Sequence, residues 1–426
     1  VDVIILGAGP GGATAAMMLA RNGLRPLLLD RASFPRDKIC GDALSGKVVD
    51  TLRKIDPALA DALGDRHEHL PCWGVQFIAP SGDVLEVPFR LDYADRMGSE
   101  YAPGYIAKRE DFDHWLLDQA LASGEVDFRP GTRVKQTVSV TFANGEKGVA
   151  VTTDKGEVLH ARYLLAADGA HSVAAKQLAG HTMDPKHHSA AVRAYYRGVE
   201  GLHKDHFIEL HYLKDLLPGY LWVFPLPDGR ANVGLGLRSD VVAKRRLDLK
   251  SLLDEAIQSH PGLRKRFANA EPEGPVRGFG LPLGSRRLTL SGDGWMLLGD
   301  AASLIDPFTG EGIGNAMISG RLAAERVLAG LAEGRNDAAF LADYDKAVYR
   351  QLGDELRLSY TLQRLAARPR LFNFVVRKAS RNAALRETIS CMFEDLDMRE
   401  RLRKPSFYFR LLFAPNRGAA KQTSTP

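Results

Sequence analysis

The sequence predicts an α/β fold: a parallel-sheet domain, an antiparallel sheet inserted into it, and a helical C-terminal region. Three observations predict it. An apolar run, Val3-Ile4-Ile5-Leu6, ends at a glycine turn and is followed by a helix-forming stretch and a second apolar run. Hydrophobicity has period two through most of Val192 to Leu281. Beyond Gly314 the pattern is helical almost to the end. At 426 residues and 45% hydrophobic content, the chain is long enough for two or three domains with a sizeable core.

The elements follow in order. Val3–Leu6 reads as a buried parallel strand, Ala13–Arg21 as helix, and Arg25–Leu29 as the next strand. Ser45–Ile55 reads as helix, and Val75–Ile78 and Val84–Val87 as strands. Arg109–Ala122 carries apolar residues at helical spacing. Strands are expected within Val126–Val140, at Gly148–Thr153 and at Tyr163–Ala167, the last ending at Asp168-Gly169. One helix, Leu249–Ser259, interrupts the period-two region. Trp295–Asp300 reads as another buried strand, followed by a glycine loop and the helices Gly314–Ala332 and Ala338–Leu365.

Composition excludes several classes. The net charge of +5 is too weak to indicate a nucleic-acid partner. The excess is concentrated between Arg357 and Arg417, where 14 Lys and Arg face 5 Asp and Glu. That tail is either a solvated helical surface or a face for anionic lipid or an acidic partner. Cys40, Cys72 and Cys391 make no disulfide framework, and neither they nor the histidines have metal-site spacing. No metal is expected. His187-His188 reads as a surface loop. No apolar run reaches a membrane span, and Val1–Leu6 reads as a strand rather than a leader. A reducing, cytoplasmic setting is expected.

The first chemical motif is Gly7-x-Gly9-x-x-Gly12, with Pro10 and Gly11 inside it. Gly7 permits a tight turn, Gly9 lets the backbone approach a pyrophosphate, and Gly12 lets helix and strand pack closely. The helix N-terminus then meets the anion with its N–H groups. Asp30, 23 residues after Gly7, closes the second strand where it can bind a ribose hydroxyl. This is a Rossmann-type dinucleotide-binding unit. Two later segments separate FAD from NAD. Asp168-Gly169 and Gly299-Asp300 each close a strand, and Asp300 suits a hydroxyl of the ribityl chain that flavins alone possess. Pro307 follows as a further cofactor-site candidate, and Gly310, Gly312, Ile313 and Gly314 then offer backbone N–H groups toward the pyrophosphate or the flavin edge.

With these residues in view, the chain resembles the geranylgeranyl reductase family, related to flavin aromatic hydroxylases and flavin-dependent halogenases. The resemblance runs from Val1 to about Leu331. It is carried by the first glycine turn, Lys38-Ile39-Cys40-Gly41-Asp42, Arg109, Asp168-Gly169, Gly299-Asp300 through Gly314, and above all Tyr220-Leu221-Trp222-Val223-Phe224-Pro225. The reductases have Tyr-x-Trp-x-Phe-Pro there, and halogenases Trp-x-Trp-x-Ile-Pro. Pro218 stands closer to Tyr220 than in some reductases. The resemblance implies that Asp30 holds the adenosine ribose, that its neighbour Arg31 also binds the cofactor, and that Val134 meets adenine through its backbone. It implies that Arg109 contacts the cofactor, that Asp300 binds the ribityl or pyrophosphate portion, and that Cys40 and Gly41 lie by the isoalloxazine ring.

Tyr220, Trp222 and Phe224 share one face of a strand and are expected to line an apolar substrate tunnel. Ordinary sheet core is the alternative. Cys40 reads either as an inert small hydrophobe or, near Arg36 and Lys38, as a thiol with a lowered pKa that donates a proton or gates substrate. Cys72 reads as inert. Cys40, Tyr220 and Trp222 are the catalytic candidates. The expected domains are FAD-binding segments 1–70, 105–185 and 285–331, a substrate-binding sheet from 71–104 and 186–284, and a helical region 332–426. The expected activity is saturation of C=C bonds in a prenyl chain. NADPH or a protein donor is the expected reductant, since no second glycine fingerprint is present. Alternatives are an FAD monooxygenase of the aromatic-hydroxylase type, a halogenase, or a non-catalytic electron-transfer module. A peripheral membrane contact is expected at Phe407–Phe413, where apolar and basic residues mix.

Overall fold

The computed structural model describes residues 1–90, 92–98 and 100–382; Cys391 and Phe407–Phe413 lie outside the described residues. A six-stranded sheet runs Ser291–Gly292, Trp295–Leu297, Tyr163–Ala166, Val3–Leu6, Leu27–Leu29, Asp127–Arg129. All neighbours are parallel except the first pair. Five of these strands are buried throughout, as strands covered on both faces must be. The covering helices Pro10–Arg21 and Ile313–Glu333 touch backbone to backbone, because a Cβ on Gly320 would fall 2.2 Å from the Gly11 carbonyl oxygen.

A seven-stranded sheet runs Glu271–Pro282, His188–Arg197, Arg230–Arg238, Tyr220–Leu226, Ile208–His211, Gly74–Ile78, Val84–Pro88. Its pairs are antiparallel except Ile208–His211 with Gly74–Ile78. One face, with Leu221, Val223, Val233 and Leu235, packs against Leu253, Ile257 and Leu263. The other face carries Ala191, Leu210, Trp222 and Phe224, in one apolar cluster with Phe372 and Val376. Three helices, Ser239–Arg245, Leu249–Ser259 and Pro261–Arg266, lie between its strands where the sequence shows one. The two extra helices have 7 and 6 residues, too short for a helical period to be read.

Smaller sheets join Val134–Thr141, Lys147–Thr153 and Val158–Ala161, and Ala43–Leu44, Gly104–Ile106 and Leu70–Cys72. The helix Ala338–Ala366 is fastened to the parallel sheet by polar contacts. The Asp345 carboxylate accepts from Leu290 N and Ser291 Oγ, and Tyr344 donates its O–H to the Leu297 carbonyl. The final described helix is Pro369–Arg381. His187-His188 is not a surface loop. His187 ends a short 3₁₀ turn, His188 opens a ten-residue strand, and each ring lies 2.7 Å from a serine hydroxyl, of Ser285 and Ser239 respectively. The apolar alternation that starts at Ala190 places His188 at the start of a strand inside the sheet, between Glu271–Pro282 and Arg230–Arg238, with His187 just before it. Among the described residues no helix is long and apolar enough to cross a membrane.

Candidate active site

The glycine turn has the shape its spacing implies. Gly7 sits at φ +90°, where a Cβ would fall 2.4 Å from the Ala167 carbonyl oxygen. A Cβ on Gly12 would fall 1.8 Å from the Gly7 carbonyl oxygen. The helix Pro10–Arg21 starts from Gly9 with no side-chain cap, so its N-terminus is left for a ligand. Buried Asp30 accepts from Ala8 N at 2.7 Å and from Ala32 N at 2.8 Å. It therefore holds the turn in shape while each oxygen keeps lone-pair capacity toward the cavity.

A single continuous cavity of about 750 Å³ opens from this turn. The end at the glycine turn is lined by Gly7, Gly9, Gly11, Asp30, Arg31, Val134, Asp168 and Gly169. Its middle is lined by Cys40, Gly41, Arg109, Gly299, Asp300, Gly312 and Ile313. Its far end is lined by Tyr220, Trp222 and Phe224 with Cys72, Val75, Phe77, Ile208, Leu210 and Leu281. Three residues singled out in the sequence do not line it. Gly12 lies beneath the turn. The Pro307 carbonyl is taken by Gln363 Nε2 at 2.6 Å. Gly314 donates its N–H to Glu311 and makes room for Lys47, whose Cβ lies 2.5 Å from where a Gly314 Cβ would be.

The three aromatics are each tied to a loop of the cavity's middle. Tyr220 donates its O–H to the Thr309 carbonyl at 2.6 Å. Phe224 presses on Gly41, its ring 2.8 Å from where a Cβ there would be. The Trp222 indole lies over Gly234 and donates to Asn232 Oδ1 at 2.8 Å, and Asn232 Nδ2 donates to the Cys40 carbonyl at 2.8 Å. Burial holds the Tyr220 hydroxyl above the ordinary phenol value and pushes the Cys72 thiol up to about 12, so neither is a ready acid.

Sequence reasoning missed several residues. Arg109 forms a bidentate pair with Asp113 at 2.6 and 2.7 Å, and Arg36 adds a third contact to Asp113 at 3.0 Å. The i,i+4 spacing of Arg109 and Asp113 was the available signal. Arg36 lines the cavity, lies 3.6 Å from where a Gly9 Cβ would be, and keeps a buried Nη1 without a protein partner. A guanidinium anchored by Asp113 on one side, with its other amino group free beside an uncapped helix N-terminus, is what a pyrophosphate needs. Lys38 lies over the Phe279 ring at 3.4 Å, and burial lowers its pKa while Asp300 opposes the shift. Asp42 is also in the wall, fully buried, and is linked to Tyr195 and Asn232. Among the described residues no cluster suits a metal ion.

The comparisons agree with this geometry. The chain matches the family described as FAD binding domain over residues 1–216. It is 32% identical over 339 residues to a menaquinone reductase of Mycolicibacterium smegmatis, covering 77% of this chain and 76% of that one. It is 30% identical over 353 residues to a digeranylgeranylglycerophospholipid reductase of Thermoplasma acidophilum, covering 82% and 83%. The fold matches a geranylgeranyl bacteriochlorophyll reductase-like protein from Thermoplasma acidophilum, with TM-score 0.75, 23% identity and coverage of 94% and 98%. It also matches a flavin-dependent brominase, with TM-score 0.70, 23% identity and coverage of 96% and 99%. The glycine cradle, the free Nη1 of Arg36 and the Asp30 carboxylate all fit FAD. The chain is an FAD-dependent oxidoreductase and belongs to the geranylgeranyl reductase family.

Proposed function

We propose that the protein saturates C=C bonds of a prenyl chain, of the geranylgeranyl type or similarly apolar. The observation that carries this is the continuity of one cavity from the glycine turn to an aromatic and aliphatic end. Reduced FAD, when bound, supplies a hydride. The chain's residues supply the rest. Tyr220, Trp222 and Phe224 are held by fixed partners, so they present a rigid apolar wall that aligns the alkene and excludes water. Asp30, Arg36 and the turn hold the nucleotide. Relatives named for reducing menaquinone and digeranylgeranylglycerophospholipid support a greasy substrate. NADPH or a protein donor is the reductant in this reading. The helix Pro369–Arg381 supports a peripheral membrane contact, because Leu371 and Phe374 are exposed beside Arg370 and Arg381.

The test is anaerobic. The yellow protein is reduced, prenyl lipids are added, and flavin reoxidation is followed with a mass gain of two hydrogens in the product. Incorporation of oxygen in aerobic turnover, coupled to NADPH oxidation, would establish the hydroxylase-type reading instead. Trp222→Ala is expected to keep FAD but slow alkene-dependent reoxidation on the order of 10²-fold, as misplacement of a reacting group does. Unchanged reoxidation by the true substrate would remove the tunnel.

A further inference from the structure

Adding hydrogen across a C=C bond consumes one proton for each hydride, and that proton must come from an acid near the apolar end. The acids there are few. Tyr220 and Cys72 are held above their ordinary values, and the Tyr220 hydroxyl is committed to Thr309. The Glu311 carboxylate is engaged by the Gly314 N–H. Asp42 differs from all of these.

Asp42 follows the Cys40-Gly41 loop, in a left-handed backbone conformation at φ +69°. Its two oxygens have unlike surroundings. Oδ2 accepts from the Tyr195 hydroxyl at 2.7 Å and from Asn232 Nδ2 at 2.8 Å. The Asn232 amide cannot turn over, since its oxygen takes the Trp222 indole N–H and its nitrogen also serves the Cys40 carbonyl. Tyr195 is fixed in turn by the Arg193 guanidinium, 4.1 Å over its ring, and Arg193 is paired with Asp37. Oδ1, by contrast, is buried with no hydrogen-bond partner at all. An ionised carboxylate with one oxygen bare in a wall closed to water is costly, whereas a proton on that oxygen neutralises the group. The two donors reserve Oδ2 as an acceptor, so the proton belongs on Oδ1.

We propose that Asp42 stores the proton that alkene reduction consumes, a role that rests on the reductase reading above. In the step, one alkene carbon takes the hydride with its electron pair. The other carbon takes the Asp42 proton through the alkene's π pair. Asp42 is left as a carboxylate and recovers a proton from water that enters the cavity it lines once product has left. The charged and titratable groups facing it are Tyr195 and Arg193 on one strand and Arg109 on its helix, with Lys108 beyond the Tyr195 ring at 5.0 Å. Burial outweighs their combined pull and pushes the carboxyl up to about 6.

Asp42→Asn keeps the size and an oxygen for Tyr195 and Asn232. The first measurement needs no turnover: infrared difference spectra of the FAD-loaded protein, titrated between about pH 5 and 8. A carboxylic-acid band that titrates near pH 6 and is missing from Asp42→Asn is expected. Tyr195→Phe, which removes one donor to the carboxylate, is expected to move that midpoint upward and serves if the asparagine variant folds poorly. The second measurement is anaerobic reoxidation by a prenyl lipid. Asp42→Asn is expected to slow it on the order of 10²-fold and to abolish its fall above pH 6, while flavin reduction by dithionite is unchanged. A band present in both proteins, or an unaltered rate and pH profile in the variant, overturns the proposal. A wild-type protein that shows the band but reduces no prenyl lipid overturns the reductase reading and leaves the buried acid standing.

Discussion

Gly12→Ala is expected to give a colourless protein that cannot be loaded with FAD. The added methyl would lie 1.8 Å from the Gly7 carbonyl oxygen, 3.0 Å from its carbon and 3.3 Å from Ile5 Cγ2. The two nearest atoms are backbone, so no side chain can swing aside. Either the turn opens or the helix Pro10–Arg21 lifts away from Val3–Leu6. Overpacking of this kind costs about 1–3 kcal/mol and occasionally more, and here all the displacement falls on the turn and helix N-terminus proposed to hold the pyrophosphate. The check is the flavin-to-protein absorbance ratio after saturation with FAD, together with a thermal melt. Gly23→Ala is the control. Gly23, unlike Gly12, has positive φ, +78°, but nothing lies within 4 Å of its Cβ, so its alanine variant should bind FAD normally and lose only about 1–2 kcal/mol. A fully yellow Gly12→Ala protein with a normal melt would contradict the account of the cradle.

Asp113→Ala is expected to lose about 3–5 kcal/mol of stability, the typical result of breaking a buried ion pair from one side. The Asp113 side chain is 0% exposed and that of Arg109 7%. The variant strands the Arg109 guanidinium in a low-dielectric wall, and Arg36 loses the anchor that aims it at the glycine turn. Urea unfolding measures the loss. A change below about 1 kcal/mol, the range of exposed pairs, would show that water reaches the pair.

How much of this could be read from sequence depends on chain separation. The βαβ unit, the glycine turn and Asp30 are local, and periodicity and turn chemistry were enough to place them. The strand Tyr220–Leu226 was legible for the same reason, because alternation puts Tyr220, Trp222 and Phe224 on one face. What escaped is held together over long distances. Asp42 meets Tyr195 across 153 residues and Asn232 across 190, and no local pattern marks such a triangle. Arg36 lay in plain view but was read only as a neighbour of Cys40; its value comes from the cavity around it. Gly314 misled in the opposite direction. It looks like part of an anion loop, yet its missing side chain makes room for Lys47, whose Nζ bridges Asn315 and Glu355.

Asn232 grips the Trp222 indole with its oxygen and the Cys40 carbonyl with its nitrogen. Those two ends line different stretches of the cavity, one greasy and one that the proposed reading puts beside the chromophore. Anything that nudges the indole must tug the loop, so mere occupancy of the greasy compartment should tint the oxidised protein before a single electron has moved. Wild-type absorption difference spectra on adding an unreactive saturated chain should reveal that tint, and Asn232→Ala, which cuts the tether, should be blind to it.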